Sequence, residues 1–275
     1  GDSITFSVQS GSLPTGLTLN TNTGVISGTP TQSVSNRQVT IKAQNDLGSK
    51  TTTLTFTVLG AISSFSYPES TYSIAKGSSF SATPNGSGDS VTYSIQSGTL
   101  PTGLTLNTNS GVISGTPTQS VSNRQVTIKA QNSLGSKTAT LTFNVLVPIS
   151  SFSYPQSTYT LTKGTSFSAT PSVTGDSLTF SIPSGSLPNG LLLNESTGVI
   201  SGRPTQSVSN RQVTIKAQNN VGSKTVMLTF NVFASISSFS YPQSTYTIAK
   251  SVSFSASPSI TGDSVTYSIS SGSLP

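Results

Sequence analysis

The chain has 275 residues, of which 57 are Ser and 42 are Thr, and it contains no Cys and no His. It therefore has no disulfide, no thiolate or imidazole chemistry and no Cys/His zinc site, and the Ser-His-Asp triad is excluded as well. Charged residues make up 7% of the chain and the formal net charge is +6, a composition that argues against disorder driven by charge.

Internal repeats determine the organisation of the chain. The string Gly-Asp-Ser recurs every 87 residues, at Gly1, Gly88, Gly175 and Gly262. Residues 24–45 and 111–132 are the same 22 letters, and residues 198–219 repeat them with one change, at Arg203. Because both ends of the chain fall inside a repeat, we expect it to be an excerpt from a longer array.

The repeat predicts two whole modules and two partial ones. The whole modules span 61–147 and 148–234. A partial module at 1–60 lacks the first strands, and a partial module at 235–275 lacks the last strands. Neither partial module is expected to fold alone. No flexible tether separates the modules, which favours a rod over beads on a string.

Apolar and polar residues alternate along each module. In 148–234 the alternating runs are, in chain order, Phe167 to Ala169, Leu178 to Ile182, Val213 to Ala217 and Leu228 to Val232. A period of two is typical of half-buried strands, and Gly and Asn turn signals separate the runs. About seven short strands per module predict an all-β chain of tandem antiparallel β-sandwiches, stacked as a rod.

The run from Leu100 to Pro117, which reads LPTGLTLNTNSGVISGTP, resembles the signature of the putative-Ig (He_PIG) family. That family is close to the dystroglycan-type cadherin-like domains. The same run stands at 13–30 and, varied, at 187–204. The resemblance implies Ig-like or cadherin-like sandwiches in tandem in large secreted and surface proteins, with no catalytic activity and no fixed ligand. The junction 144–154 lacks the acidic residues of calcium-binding cadherins.

Acidic residues are too few for catalysis or for calcium. A glycoside hydrolase needs two carboxylates, and the copy 88–174 holds only Asp89. Calcium needs six to eight oxygens, but each whole module has two acids. We therefore predict no catalytic residue, no metal ligand and no cofactor. The repeated acids are expected to be turn residues that cap their own backbone, at Asp2, Asp89, Asp176 and Asp263.

An isopeptide crosslink is an alternative role for polar residues on neighbouring predicted strands. Its candidates are Lys129, Lys137 and Asn144. Such a crosslink needs a buried Lys, and Lys129 lies at an outward phase of its strand.

The basic residues do not predict nucleic-acid binding, because they are spread out rather than clustered on one face. In one copy they are Arg124, Lys129, Lys137 and Lys163. A weak attraction to acidic polysaccharide is the most they indicate. No apolar run approaches the roughly 18 residues needed to span a bilayer, so no membrane insertion is expected within this segment.

Recurring aromatic residues allow two interpretations. Phe65, Tyr67, Phe152 and Tyr154 share one phase of their strands in every copy. They could stack on sugar rings, but we favour a role in the core and at the module junction, because aromatic side chains are the largest source of burial in a small sandwich.

Two N-glycosylation sequons are present, at Asn85 and Asn194, both at predicted turns. The hydroxyl-rich surface could also carry O-glycans.

The favoured function is a non-catalytic extracellular structural repeat, a stalk or filament-forming protein of a cell surface or surface appendage that supplies length and stiffness. Unpaired edge strands predict self-association into rods or filaments. The alternatives are an adhesin that binds a cell-surface glycan or protein, and an accessory module of a secreted hydrolase.

Overall fold

The computed structural model describes residues 3–274. Across this range the chain forms strands and turns and no helix. It divides into two compact units, Gly1–Val145 and Leu146–Pro275. The all-β class predicted from the alternating pattern is confirmed.

The first sixty residues contribute five strands to the first unit. They are β1 (Thr5–Ser10), β2 (Leu17–Leu19), β3 (Ile26–Gly28), β4 (Val34–Asn45) and β5 (Gly48–Val58). Strands β1, β4 and β5 form an antiparallel sheet in that order, and β2 pairs with β3.

The rest of the first unit contains nine strands. They are β6 (Phe65–Ser66), β7 (Thr71–Ala75), β8 (Phe80–Ala82), β9 (Asn85–Gly86), β10 (Thr92–Gly98), β11 (Leu104–Leu106), β12 (Ile113–Gly115), β13 (Val121–Asn132) and β14 (Gly135–Leu146). One sheet has the order β10-β13-β14-β7 and the other β11-β12-β8, while β6 pairs with β9. Side chains of both larger sheets meet in one core, so this is a β-sandwich.

The second unit repeats this arrangement. Its strands are β15 (Phe152–Ser153), β16 (Thr158–Thr162), β17 (Phe167–Ala169), β18 (Ser172–Val173), β19 (Thr179–Gly185), β20 (Leu191–Leu193), β21 (Ile200–Gly202), β22 (Val208–Asn219), β23 (Gly222–Phe233), β24 (Ser238–Ser240) and β25 (Ser259–Thr261). The sheet orders are β16-β23-β22-β19 and β17-β21-β20, with β15-β18 and β24-β25 as two-stranded pairs.

The pairing of β16 with β23 departs from the predicted antiparallel pattern. Strand β16 pairs with β23 in parallel, with Thr158 opposite Thr229 and Leu161 opposite Val232. A parallel pair needs a long connection rather than a hairpin, and here strands β17 to β22 lie between β16 and β23 in the chain.

The alternating residues build the core as predicted. In β22 the side chains of Val213, Ile215 and Ala217 are at most 1% exposed, whereas Thr214 and Lys216 between them are only half-buried. Because successive strand side chains point to opposite faces, this single alternation assigns one face to the core. The prediction of half-buried strands is confirmed.

The recurring aromatic residues lie in the core. Tyr67 and Tyr154 are each 7% exposed, and the hydroxyl of Tyr67 donates a hydrogen bond to the carbonyl oxygen of Gly111. Burial raises the pKa of the Tyr67 hydroxyl well above its usual value, so this hydroxyl remains a proton donor. Phe65 packs edge-on against Tyr67 with ring centroids 5.7 Å apart. Phe65 and Phe152 are partly buried and pack against the same cores. The core interpretation is therefore confirmed for Tyr67 and Tyr154, whose buried rings cannot stack on a sugar, and a role of these residues at the module junction stays a prediction.

Candidate functional site: the module junctions

One residue between successive modules is held by side chains from the module that follows. These linker residues are 87 positions apart, at Gly60, Val147 and Ala234. Around Gly60 the carboxylate Oδ2 of Asp89 accepts a hydrogen bond from the Gly60 amide at 2.7 Å. The Gly60 carbonyl accepts from the Asp89 amide at 3.2 Å and from Nδ2 of Asn132 at 3.0 Å. We call this set of an aspartate, an asparagine and a linker residue the junction clamp.

The same clamp forms around Val147 in the second unit. Oδ2 of Asp176 accepts from the Val147 amide at 2.9 Å, and the Val147 carbonyl accepts from Nδ2 of Asn219 at 3.1 Å. Nδ2 of Asn219 also donates to the Asp176 carbonyl at 3.0 Å. The aspartate part recurs at Ala234, whose amide donates to Oδ2 of Asp263 at 2.7 Å. Because the geometry recurs at the repeat spacing, it is a property of the module.

Two of the aspartates also bind the preceding module. The hydroxyl of Ser33 donates to Oδ2 of Asp89, and the hydroxyl of Ser207 donates to Oδ2 of Asp263. Each Ser lies 56 residues before its Asp. A carboxylate that accepts from both the linker amide and the previous module connects two modules directly.

A strained turn presents the aspartate. Gly88 has φ 132°, and a Cβ there would lie 2.9 Å from Cγ1 of Ile62, a side chain that is 8% exposed. Ser90 has φ 54°, a conformation that costs about 1–3 kcal/mol for a residue other than glycine. Gly88 is therefore required by both backbone and packing, and the clamp helps to hold the strained turn in place.

The asparagine uses its whole amide. Asn132 is 8% exposed, and its Nδ2 donates to the carbonyls of Gly60 and Asp89, both at 3.0 Å. Its Oδ1 accepts from the Leu134 amide at 3.0 Å, which closes the hairpin turn between β13 and β14. A buried amide with all three bonds made is stabilising, whereas each bond lost would leave a desolvated polar group.

The aspartates therefore do not play the predicted role. They were expected to cap their own backbone, but Asp89, Asp176 and Asp263 accept hydrogen bonds from linker amides 29 residues earlier in the chain. The expectation is wrong because the acceptor is aimed across the junction rather than into its own turn. Asp2 lies outside the described residues.

Acid is expected to loosen these junctions. The Ser33 hydroxyl, followed by the Gly60 amide, holds the pKa of the Asp89 carboxyl below its usual value. The Ala234 amide, followed by the Ser207 hydroxyl, lowers the pKa of Asp263 from the same value. A lowered folded-state pKa contributes stability that is present above the unfolded-state value and lost as pH falls through the folded-state value.

The measurement is amide hydrogen exchange at Gly60 and Ala234 over a pH series that crosses this range, corrected for the intrinsic pH dependence of exchange. Protection is expected to be constant above the ordinary Asp pKa of about 3.9 and to fall as the pH is lowered further, through the depressed folded-state pKa values. In Asp89→Asn the pH dependence at Gly60 should disappear while that at Ala234 remains. An unchanged pH dependence at Gly60 in the variant would contradict the assignment.

The isopeptide alternative is not supported by the strand register. Lys129 lies opposite Thr138, six residues from Asn144 on the same strand, or roughly 20 Å at the rise of a β-strand. Lys137 lies on that strand as well, seven residues from Asn144. The Asn144 side chain instead accepts from the Asn123 amide at 2.8 Å. The three candidates are therefore not brought together.

Metal ligands do not gather in the structure. Among residues 3–274 no three acidic side chains lie close enough together to hold a metal ion. The same residues include no helix that is long and apolar enough to cross a membrane.

The two sequons have different surroundings. Asn85 is exposed and lies in the two-residue strand β9, rather than in the predicted turn, where it pairs with Ser66. Asn194 is exposed in a turn, as predicted, but its Oδ1 accepts from the amides of Ser196 and Thr197, each at 3.0 Å. The side chain of Asn194 is therefore part of the turn that supports it.

In a glycosylating expression host we expect more complete N-glycosylation at Asn85 than at Asn194, because the Asn194 amide must first leave its turn. Glycopeptide mass spectrometry measures both occupancies. Replacing Ser87 and Ser196 with Ala, one at a time, removes each sequon and identifies the modified site. Higher occupancy at Asn194 would contradict this prediction.

Comparisons with known proteins agree with the repeat. A 151-residue stretch, 53% of this chain, is 34% identical to the "Serine-rich adhesin for platelets" of Staphylococcus aureus strain MRSA252. That stretch is 11% of the relative, and the match to the same adhesin of strain MSSA476 is 6% of its length. The chain thus spans a small part of the curated relatives it matches.

Among solved structures, extracellular domains 3–5 of Drosophila OTK match 84% of this chain and 86% of theirs, at 16% identity and a TM-score of 0.47. The titin I-band fragment I67–I69 matches 83% and 87%, at 15% identity and a TM-score of 0.43. The family model described as "Putative Ig domain" (He_PIG) matches residues 1–59, 61–148 and 149–233. The chain therefore belongs to the He_PIG family of Ig-like domains, present here in tandem.

Proposed function

We propose that this chain is part of a non-catalytic extracellular spacer, a stalk or filament-forming segment of a cell surface or surface appendage. The observation that carries the proposal is the junction clamp. At Gly60 a single linker residue is bound through both its amide and its carbonyl, and the same aspartate accepts from Ser33 of the previous module. A linker residue that is bound at both its amide and its carbonyl restricts rotation of one module relative to the next.

The composition and the repeat support the same role. The modules proposed at 1–60, 61–147, 148–234 and 235–275 have nearly the same sequence, so their surfaces have nearly the same chemistry. A binding protein would need one module to differ. Length then scales with the number of copies, and stiffness comes from the clamped junctions.

The proposed spacer also self-associates into rods or filaments. A β-sandwich presents edge strands whose backbone donors and acceptors can pair with another chain. With charged residues at 7% of the chain, electrostatic repulsion between copies is weak.

Adhesion is the second candidate. It is favoured by the 34% identity to a protein named a serine-rich adhesin for platelets. On this reading the chain binds a protein or glycan of a cell surface, or carries a domain that does so. A glycan array and a cell-binding assay with the whole chain separate the two. Specific saturable binding would favour the adhesin, and its absence the spacer.

Junction stiffness can be measured directly because the chain has no Cys. Asn22 and Asn109 are exposed and occupy equivalent positions in neighbouring copies. In the double variant Asn22→Cys with Asn109→Cys, spin labels should give a narrow distance distribution by pulsed electron paramagnetic resonance. Adding Asp89→Ala removes the carboxylate bonds of the clamp to the Gly60 amide and the Ser33 hydroxyl, and should broaden the distribution.

The matched control is Glu69→Ala, which removes an exposed acid from the same module without touching the clamp. It should leave the distance distribution narrow. A broad distribution in the chain that retains Asp89 would contradict a stiff spacer.

A further inference from the structure

Three surface positions near strands β20 and β21 distinguish residues 148–234 from the two earlier copies of the repeat. Both earlier copies have Thr at each of these positions. At the repeat spacing, Leu192 replaces Thr105 and Thr18, Glu195 replaces Thr108 and Thr21, and Arg203 replaces Thr116 and Thr29. Hydroxyl groups are thus exchanged for one apolar side chain and two opposite charges.

The exposure of these positions is a property of the repeat. Leu192 is 75% exposed, and the two charged residues are exposed as well. Residues 61–147 have another copy before them and another after them in the chain. Their equivalents of the three positions are also exposed, at Thr105, Thr108 and Thr116. A copy with neighbours on both sides therefore keeps this surface open.

Leu192 gives up a contact that Thr makes. In residues 61–147 the hydroxyl of Thr105 donates to the Ser114 carbonyl at 3.4 Å, and the first copy has the same bond. Leu192 lies opposite Ser201, the equivalent of that acceptor, but has no hydroxyl to donate. A single exposed Leu is ordinary on a protein surface. The informative feature is its position between two charges that also replace Thr.

The two charges lie on opposite sides of Leu192 along the strand. The Arg203 amide donates to the Gly190 carbonyl at 3.0 Å, so Arg203 lies level with the residue two before Leu192. Glu195 lies three residues after Leu192, in the turn between β20 and β21. Five residues span roughly 16 Å of a strand, which separates the two charges within one molecule.

We propose that this surface of one molecule binds the same surface of a second copy about a two-fold axis. The axis lies in the plane of the contact and crosses β20 at Leu192. Leu192 then packs against Leu192 of the second copy. Arg203 of each molecule faces Glu195 of the other, because the two residues lie at similar distances on opposite sides of the axis. A contact that uses the same surface on both molecules closes as a pair.

A second copy fits this surface because the surface is complementary to itself. An apolar centre with a positive and a negative end meets its own rotated image with opposite charges facing each other. An acidic polysaccharide would be repelled by Glu195, and a neutral glycan would pair with neither charge. Exposed ion pairs are individually weak and are screened by salt, so we expect a weak contact that dissociates at high ionic strength.

The proposal rests on the self-association proposed above and names one surface that produces it. It does not depend on the stiffness of the junctions, which is measured as a distance within single molecules. Association through edge strands alone would not respond to the charges at Glu195 and Arg203. The experiments below therefore separate failure of this contact from failure of the spacer role.

Charge reversal tests the contact through mixing. Arg203→Glu places a carboxylate against Glu195 of the second copy, and Glu195→Arg places two guanidinium groups together. In analytical ultracentrifugation at low ionic strength, each variant alone should raise the dissociation constant of the pair at least tenfold. An equimolar mixture of the two variants should restore association, because every facing pair in the mixed dimer then has opposite charges.

The matched control is Lys137→Glu, which makes the same change in net charge at an exposed position in residues 61–147. It should associate like the unmodified chain. Three outcomes overturn the proposal: an unmodified chain that stays monomeric, an Arg203→Glu chain that associates as strongly as the control, and a mixture that associates no better than either variant alone.

A second measurement locates the contact. Arg203→Lys keeps the charge and supplies an amine that a carbodiimide can join to a carboxylate it touches. In a mixture of ¹⁴N-labelled and ¹⁵N-labelled chains, mass spectrometry should find position 203 joined to Glu195 in peptides that carry one label each. Leu192→Thr, which restores the residue of the earlier copies, should lower the yield severalfold. Joined peptides with a single label only, or none at all, overturn the proposal.

Discussion

Replacing Phe143 with Ala is expected to unfold the sandwich formed by residues 61–145 while leaving the sandwich in 148–233 folded. Phe143 is 0% exposed. Its ring stacks on Tyr72 with centroids 5.7 Å apart and meets Phe80 edge-on at 6.1 Å. Truncating a buried Phe to Ala costs about 3–5 kcal/mol, because the surroundings do not collapse into the space. That is comparable with the whole stability of a small domain.

The chain supplies its own control for this substitution. Phe56 is the equivalent residue in the first sixty residues, where the ring is only half-buried. Phe56→Ala should therefore cost clearly less than Phe143→Ala. Hydrogen exchange with mass spectrometry reports each segment separately, through peptides that cover β4–β5, β13–β14 and β22–β23. If Phe56→Ala and Phe143→Ala lowered protection of their own segments equally, the shared aromatic core would not be the main source of stability.

Strand positions follow from the sequence because burial in a sandwich has a period of two. Leu228, Phe230 and Val232 alternate with polar residues, and all three are 0% exposed. Alternation in the sequence predicts burial because the face of the sheet on which a side chain lies determines both its place in the alternation and whether it meets the core. The places of the strands and their core-facing residues in the whole modules could therefore be predicted, whereas their bounds could not: β22 spans Val208–Asn219 and β23 spans Gly222–Phe233, well beyond the alternating runs.

Strand neighbours could not be predicted in the same way. The parallel pairing of β16 with β23 joins residues 71 positions apart, and no local pattern encodes which edge a short strand will cover.

The junction clamp was missed for a related reason. An Asp after Gly predicts a turn, and the structure has a turn there as well as a hairpin turn after Asn132. Each side chain also forms a hydrogen bond with the backbone of Gly60, which lies 29 residues before Asp89 and 72 residues before Asn132. A local interpretation stops once the turn accounts for the residue. The recurrence of Ser, Asp and Asn at the same offsets in successive repeats was the only available sign of a shared contact.

Changing Asn132 to Asp is expected to open the junction at Gly60 with little change in shape. The substitution replaces one NH₂ group with oxygen, so the side chain still accepts from the Leu134 amide. It loses the two bonds that Nδ2 donates to the carbonyls of Gly60 and Asp89. It also places a carboxylate oxygen against those two carbonyl oxygens. Leaving buried polar groups unsatisfied costs about 1–3 kcal/mol, and more for a charged group.

We expect Asn132→Asp to cost about 3 kcal/mol at neutral pH, the upper end of that range. Hydrogen exchange at the Asp89 amide, which donates to the Gly60 carbonyl, should accelerate roughly 100-fold for a loss of this size. Asn109→Asp makes the same chemical change at an exposed turn position and should stay within about 0.5 kcal/mol of the original chain. If the two variants behaved alike, the asparagine would be a hairpin residue only. The junction would then depend on Asp89 and Ser33 alone, and the pH dependence of Gly60 protection should account for all of its stability.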